Sequence, residues 1–204
     1  MITLPLLVAA ALWFYMFSPW TARPANFWFT MTAAAVILAA SALLLQADSL
    51  QKAFAPLDWK QTAGGIALAA FLWGVFWVGD KASSAIFGFA RGEVDSIYGM
   101  KAGLPPWVIA LLLLIIIGPA EELFWRGFIQ RKLSERWDGN RGFICATILY
   151  TIIHIWSFNF MLIMSALVCG LVWGGLYRLR PQWLPAIVVS HAVWDACVFV
   201  VFPI

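Results

Sequence analysis

Apolar positions along this chain do not alternate or recur every third or fourth residue; they come in long runs separated by short polar turns. The runs fall at about 1–18, 27–46, 63–79, 106–130, 142–158, 160–177 and 183–203. Each approaches the ~20 residues that an α-helix needs to cross ~30 Å of hydrocarbon. The breaks "SPWTARPAN", "QADSLQKAFAPLDWKQ" and "WDGNRG" carry turn residues, and a bend at "WSFN" divides the fifth run from the sixth. The pattern predicts an all-α, polytopic transmembrane bundle of about seven spans. The stretch from Asp80 to Pro106 is too polar to span. It predicts a connecting loop or a short helix on the interface, placed to act as a gate or flap.

Composition sharpens this picture. Of 204 residues, 63% are hydrophobic and 11% charged, against roughly 25% charged in soluble domains. That leaves room for one compact transmembrane domain over 1–204 and none for a large soluble one. The net charge of +3 gives no reason to expect nucleic acid as a partner. Cys145, Cys169 and Cys197 all lie in apolar runs and read as packing residues. The first run, "MITLPLLVAAALWFYMF", lacks a basic leader and reads as a retained span. With the N-terminus inside, Lys52, Lys60, Arg126, Arg131, Lys132, Arg136, Arg141, Arg178 and Arg180 lie at or near the inner face. Arg23, Lys81, Arg91 and Lys101 then lie outside, so the basic bias predicts N-in/C-out. Trp20, Trp28, Trp59, Trp107, Trp137 and Trp183 fall near span ends, where interfacial aromatics belong.

Several polar residues resist this scheme. Glu121, Glu122 and Asp195 lie inside runs, where each carboxylate costs roughly 2.5–3.5 kcal/mol on insertion scales. They need a polar interior and partners. Glu122 and Arg126 are spaced i, i+4 with the acid first, the favourable order for a helical pair. The arginine can extend toward the inner interface along its stem. Glu121 points about 100° away around the same helix and is left free. Pro119, after Gly118, removes a helix hydrogen bond and predicts a bend that opens space beside Glu121. The two histidines, His154 and His191, also lie within runs, and His191 shares a helix face with Asp195 at i, i+4. Counted at 1.5 Å per residue, these groups sit at similar depths on three different spans. Intramembrane ionisable residues mark functional sites. Gly170 and Gly174 form a GxxxG that predicts close helix packing.

At these positions the chain resembles the CPBP intramembrane proteases, the group of CAAX proteases and bacteriocin-processing (Abi) enzymes. The resemblance rests on "EELFWR" at 121–126, "YTIIH" at 150–154 and "HAVWD" at 191–195, with "RGFIQ" continuing the first motif. It covers roughly 106–200. It makes 106–204 a catalytic core and 1–105 accessory spans with an outer loop, and sets the active site between spans four, five and seven. Tyr150 replaces a commoner phenylalanine, and Asp195 stands where many members have asparagine.

The resemblance implies an intramembrane endopeptidase acting on a membrane-associated peptide or protein, of CAAX type or a bacterial maturation or sorting substrate. It implies that Glu121 with His154 activates a water, that His191 and Asp195 hold the oxyanion, and that Glu122 and Arg126 support the site. Hydrolysis at depth needs a water path, which a cytoplasmic opening would supply. HExxH is absent, and the resemblance implies a metal-free, glutamate-type protease, so no cofactor is expected. The alternative is zinc held by Glu121, His154, His191 and Asp195. A proton-coupled transporter using the same acids and histidines, or a silent scaffold, are the readings from other classes. The expected location is the bacterial inner (plasma) membrane, with the lipid bilayer itself as a partner.

Overall fold

The computed structural model describes residues 2–21, 26–53 and 57–204, without the side chains of 47–53. Arg23 and the side chain of Lys52, on which the orientation partly leans, lie outside the described residues. All regular structure among the described residues is helical. The helices are α1 (Thr3–Phe17), α2 (Phe27–Ala53), α3 (Trp59–Ile86), α4 (Ala90–Gly99), α5 (Pro106–Arg136), α6 (Gly139–Ile152), α7 (Phe160–Leu179) and α8 (Leu184–Ala196). A 3₁₀ turn at Pro181–Trp183 precedes α8, and a π turn at Cys197–Val201 follows it.

Five of these helices are long and apolar enough to cross a membrane: Phe27–Gln46, Trp59–Ile86, Pro106–Arg136, Phe160–Leu179 and Pro181–Val201. The expected first and fifth spans are shorter. α1 has 15 residues, ~22 Å of helix. α6 has 14 and is lengthened by a 3₁₀ turn at Ile153–Ser157. α3 runs past the expected end at 79 to Ile86, because Asp80 is not left bare: it is buried against Arg91 at 3.1 Å.

One buried cluster joins α1, α2, α3, α5, α6, α7 and α8, from Trp13 and Leu38 through Phe128 to Trp173 and Trp194. Close approaches fix its geometry. A Cβ on Gly65 would lie 2.5 Å from the Ala186 carbonyl, and one on Gly118 would lie 2.9 Å from the Ala192 Cα. Small side chains at these two places let α3 and α5 press onto α8. Gly170 and Gly174 do the same between α6 and α7, where Thr147 Oγ1 donates to the Gly170 carbonyl at 3.2 Å.

Of three local features, the first differs from the sequence expectation and the other two follow it in sharper form. Trp28 is not interfacial: it is buried and its indole donates to the Met100 carbonyl at 2.9 Å, anchoring the loop after α4. Trp20, Trp59, Trp107 and Trp137 are exposed, as expected of interfacial aromatics. The bend at "WSFN" becomes a sharp break, with Phe158 at φ 49° and Asn159 capping α7 by accepting from the Leu162 amide at 2.8 Å. A bulky residue at positive φ is strained and marks an enforced turn. Finally, the polar stretch forms α4, pinned rather than loose. Glu93 accepts from the Met161 amide at 2.9 Å, and Asn159 Nδ2 donates to the Glu93 carbonyl at 2.9 Å.

Candidate active site

α5 sets the first wall. Pro119 has no N–H to give, and the helix absorbs the loss by widening on both sides, into π turns at Leu113–Ile117 and Leu123–Gln130. Such widened turns recur at functional sites because they re-aim side chains. Between them, Gly118–Glu122 keeps α-helical form. Glu121 and Glu122 therefore leave the helix on different sides, both buried.

Glu122 enters a closed polar network. Its Oε1 accepts from Arg126 Nη1 at 2.8 Å and lies 2.7 Å from His191 Nδ1. Arg126 does not reach an interface. Only 2% exposed, its guanidinium lies over the Tyr150 ring at 4.7 Å and faces Trp173 at 5.5 Å. Two aromatic faces and a carboxylate replace the water that an arginine loses on burial. Trp173 also stacks on His191, with centroids 4.1 Å apart, and donates from Nε1 to Ser190 Oγ at 3.1 Å. The His191 ring is thus fixed in plane and in position. Its Nε2 lies 3.4 Å from Asp195 Oδ2, looser than its bond to Glu122.

Glu121 faces the opposite way, into a cavity of about 640 Å³. His154, His191 and Asp195 line the same cavity, while Glu122 and Arg126 do not. Among the described residues no side chain donates a hydrogen bond to Glu121. The rest of the lining is mainly apolar. It runs past Phe17, Trp28 and Asp80 to Tyr98, Ile86 and Phe160. These last residues sit at the α4 end of the bundle, away from the basic end that carries Arg131, Arg136, Arg141 and Arg178. The cavity thus extends from Glu121 toward the α4 end of the bundle. The basic ends of α5, α6 and α7 are bonded to one another. There, Gln130 Nε2 donates to the Gly174 carbonyl at 2.8 Å, and Arg178 Nε donates to Asn140 Oδ1 at 3.1 Å.

His154 follows α6 in the 3₁₀ turn and brings an unexpected partner. Its Nδ1 lies 2.8 Å from the Tyr150 carbonyl, which can only accept, so Nδ1 carries the proton. Its Nε2 accepts from the indole N–H of Trp13, on α1, at 3.2 Å. The accessory half of the chain thus touches the site. Sequence reading missed Trp13, Trp173 and Ser190, and missed the bond from His191 to Glu122. A tryptophan in an apolar run carries no signal that tells core from site.

The alternative zinc set was Glu121, His154, His191 and Asp195. His154 has no free lone pair here: one nitrogen is protonated and the other is bonded to Trp13. Among the described residues no three His, Cys, Asp or Glu side chains are grouped to hold a metal ion. This arrangement does not fit a zinc site, and no step is routed through one.

A helical bundle that gathers Glu121, His154, His191 and Asp195 at one buried cavity, with Glu122 bonded behind His191, has the arrangement in which the resembled motifs would meet. Residues 103–197 match the family described as Type II CAAX prenyl endopeptidase Rce1-like. The match lies in the second half of the chain and is consistent with a CPBP-family protease. No curated protein and no solved structure matches the chain.

Proposed function

We propose that the protein is a glutamate-dependent intramembrane endopeptidase, with Glu121 as the general base. The observation that carries this reading is the asymmetry of the two glutamates: Glu122 is bonded to Arg126 and His191, while Glu121 faces the cavity with no donor. In the proposed step, Glu121 takes a proton from water as the water oxygen attacks the scissile carbonyl carbon. The carbonyl π electrons move to oxygen, and His191, doubly protonated with Nδ1–H given to Glu122 and Nε2–H aimed at that oxygen, steadies the oxyanion together with a protonated Asp195. Glu121 then returns the proton to the departing amine as the C–N bond breaks. Hydrolysis is balanced without a cofactor.

The resemblance implied that His154 shares the water with Glu121. With Nε2 held by Trp13, it can do so only by exchanging that bond for one from water. In the state described here His154 orients the wall beside Glu121. Glu122 does more than support: it accepts the Nδ1 proton of His191 and so orients the ring, the role that spacing alone assigned to Asp195.

The mainly apolar lining favours a lipidated or otherwise hydrophobic substrate of CAAX type, a membrane-associated peptide or protein. The N-in/C-out arrangement of seven spans in a bacterial plasma membrane is proposed on the basic-residue bias and the seven long apolar runs. The test is cleavage of candidate membrane peptides by the purified protein in lipid nanodiscs, beside Glu121→Gln. Cleavage by the unaltered chain and loss in the variant are expected. Equal rates in both would remove Glu121 as the base.

A further inference from the structure

The last residues after α8 do not trail away. Phe202, Pro203 and Ile204 turn across the α4 end of the cavity, and Ile204 lines it. Three side chains from two helices bind their main chain. Trp73 Nε1, on α3, donates to the Phe202 carbonyl at 2.9 Å. The Tyr98 hydroxyl, on α4, accepts from the Ile204 amide at 2.9 Å. Both terminal nitrogens of Arg91, also on α4, reach an Ile204 main-chain oxygen, at 3.3 and 3.4 Å. Arg91 is itself held in place, by Asp80 at 3.1 Å and Asp95 at 2.8 Å. Asp80 is a buried carboxylate on a long apolar helix, and the structure gives it the work of aiming this guanidinium.

None of these contacts reads a side chain of 202–204. They read the Phe202 carbonyl, the Ile204 amide and an Ile204 main-chain oxygen, groups that a peptide presents whatever its side chains. Meanwhile the Ile204 side chain packs against the core cluster. Main-chain bonds combined with an inserted side chain are how proteins bind extended peptides of varied sequence. The residues concerned, Trp73, Arg91, Tyr98 and 202–204, all lie outside the segment that matches the family.

We propose that Trp73, Arg91 and Tyr98 form a main-chain-reading subsite for an extended peptide with an aliphatic side chain, and that segment 202–204 is its built-in competitor. The inference deepens the protease reading and rests on it for the identity of the peptide as substrate. Substrate displaces the segment to reach the cavity, so the segment raises the threshold for entry.

The experiment uses a fluorescently labelled Val-Val-Phe-Pro-Ile peptide, the chain's own sequence at 200–204, and the full chain in nanodiscs. Polarisation reads binding to the unaltered chain, to a variant lacking 202–204, and to that variant with Arg91→Ala. The deletion is expected to tighten binding about tenfold or more, and Arg91→Ala to reverse the gain. A second measurement needs no variant. Hydrogen exchange at the Ile204 amide of the unaltered chain should accelerate when peptide saturates it. Binding that ignores the deletion and Arg91, or peptide that binds without changing exchange at Ile204, overturns the subsite. Both readouts are independent of cleavage. Arg91-dependent binding without cleavage by any form would sink the protease reading and leave the subsite standing. Cleavage without such binding would do the reverse.

Discussion

Glu121 and Glu122 are neighbours in sequence and sit in opposite surroundings. On one side of α5 every polar group has been given company: Arg126 lies against Tyr150, Glu122 joins Arg126 to His191, and Trp173 covers the histidine. On the other side Glu121 meets an open cavity and no donor. One residue step, ~100° of rotation, separates a group that holds the bundle together from a group free to react. A membrane helix can thus carry two buried acids if one is consumed by structure. The helix tolerates the other because the cavity admits partners that the lipid would not.

This contrast can be broken by substitution, and the largest effect belongs to the free acid. Glu121→Gln should lower the cleavage rate about a thousandfold, within the range for losing a general base, while leaving the melting temperature in detergent nearly unchanged. A rate near that of the unaltered chain would show the open side to be inert. Glu122→Gln should act mainly on the fold. Removing one member of a buried ion pair costs about 3–5 kcal/mol, and Arg126 would be left without its anion. Thermal unfolding should report the loss, and the rate at matched folded protein should fall less than for Glu121→Gln. If Glu122→Gln melts like the unaltered chain, the closed network does not hold the bundle.

Asp195 lies between the two regions, loosely beside His191 and lining the cavity. Asp195→Ala should cost on the order of a hundredfold in initial rate, the scale of a lost oxyanion-hole group. Asp195→Asn should stay within about tenfold, because an amide can still donate to an oxyanion. A dead asparagine variant would mean that negative charge, not donation, is what the position supplies. The smallest effect is expected at Trp13. Trp13→Phe removes one buried hydrogen bond, about 1 kcal/mol of stability, and hands His154 Nε2 to the cavity. The rate should stay within about tenfold. A larger fall would make the Trp13 bond part of the working site.

The paired acid, the arginine and the His191–Asp195 spacing were legible in the sequence because they are local: i, i+4 on one helix needs only the helical period. The irregularity around Pro119 was legible for the same reason, and it takes the form of π turns on either side. Other features were not. Trp13 and His154 are 141 positions apart, and Glu122 and His191 are 69 apart. The sequence also suggested that Arg126 reaches toward water; the fold instead supplies two aromatic faces from α6 and α7. Trp28 looked interfacial by position and is core by packing. The extension of the cavity toward the α4 end has no counterpart in any local pattern.

By itself the sequence determined that this chain is all-helical with long apolar helices, and which buried polar residues are the candidates for chemistry. Long apolar runs have no other stable form in lipid, and a charge within them must be used. Only the tertiary structure decided which acid is spent and which is free, which nitrogen of each histidine is engaged, and which end of the bundle the cavity faces. Those depend on what neighbouring helices bring across the interface, and no local period encodes it.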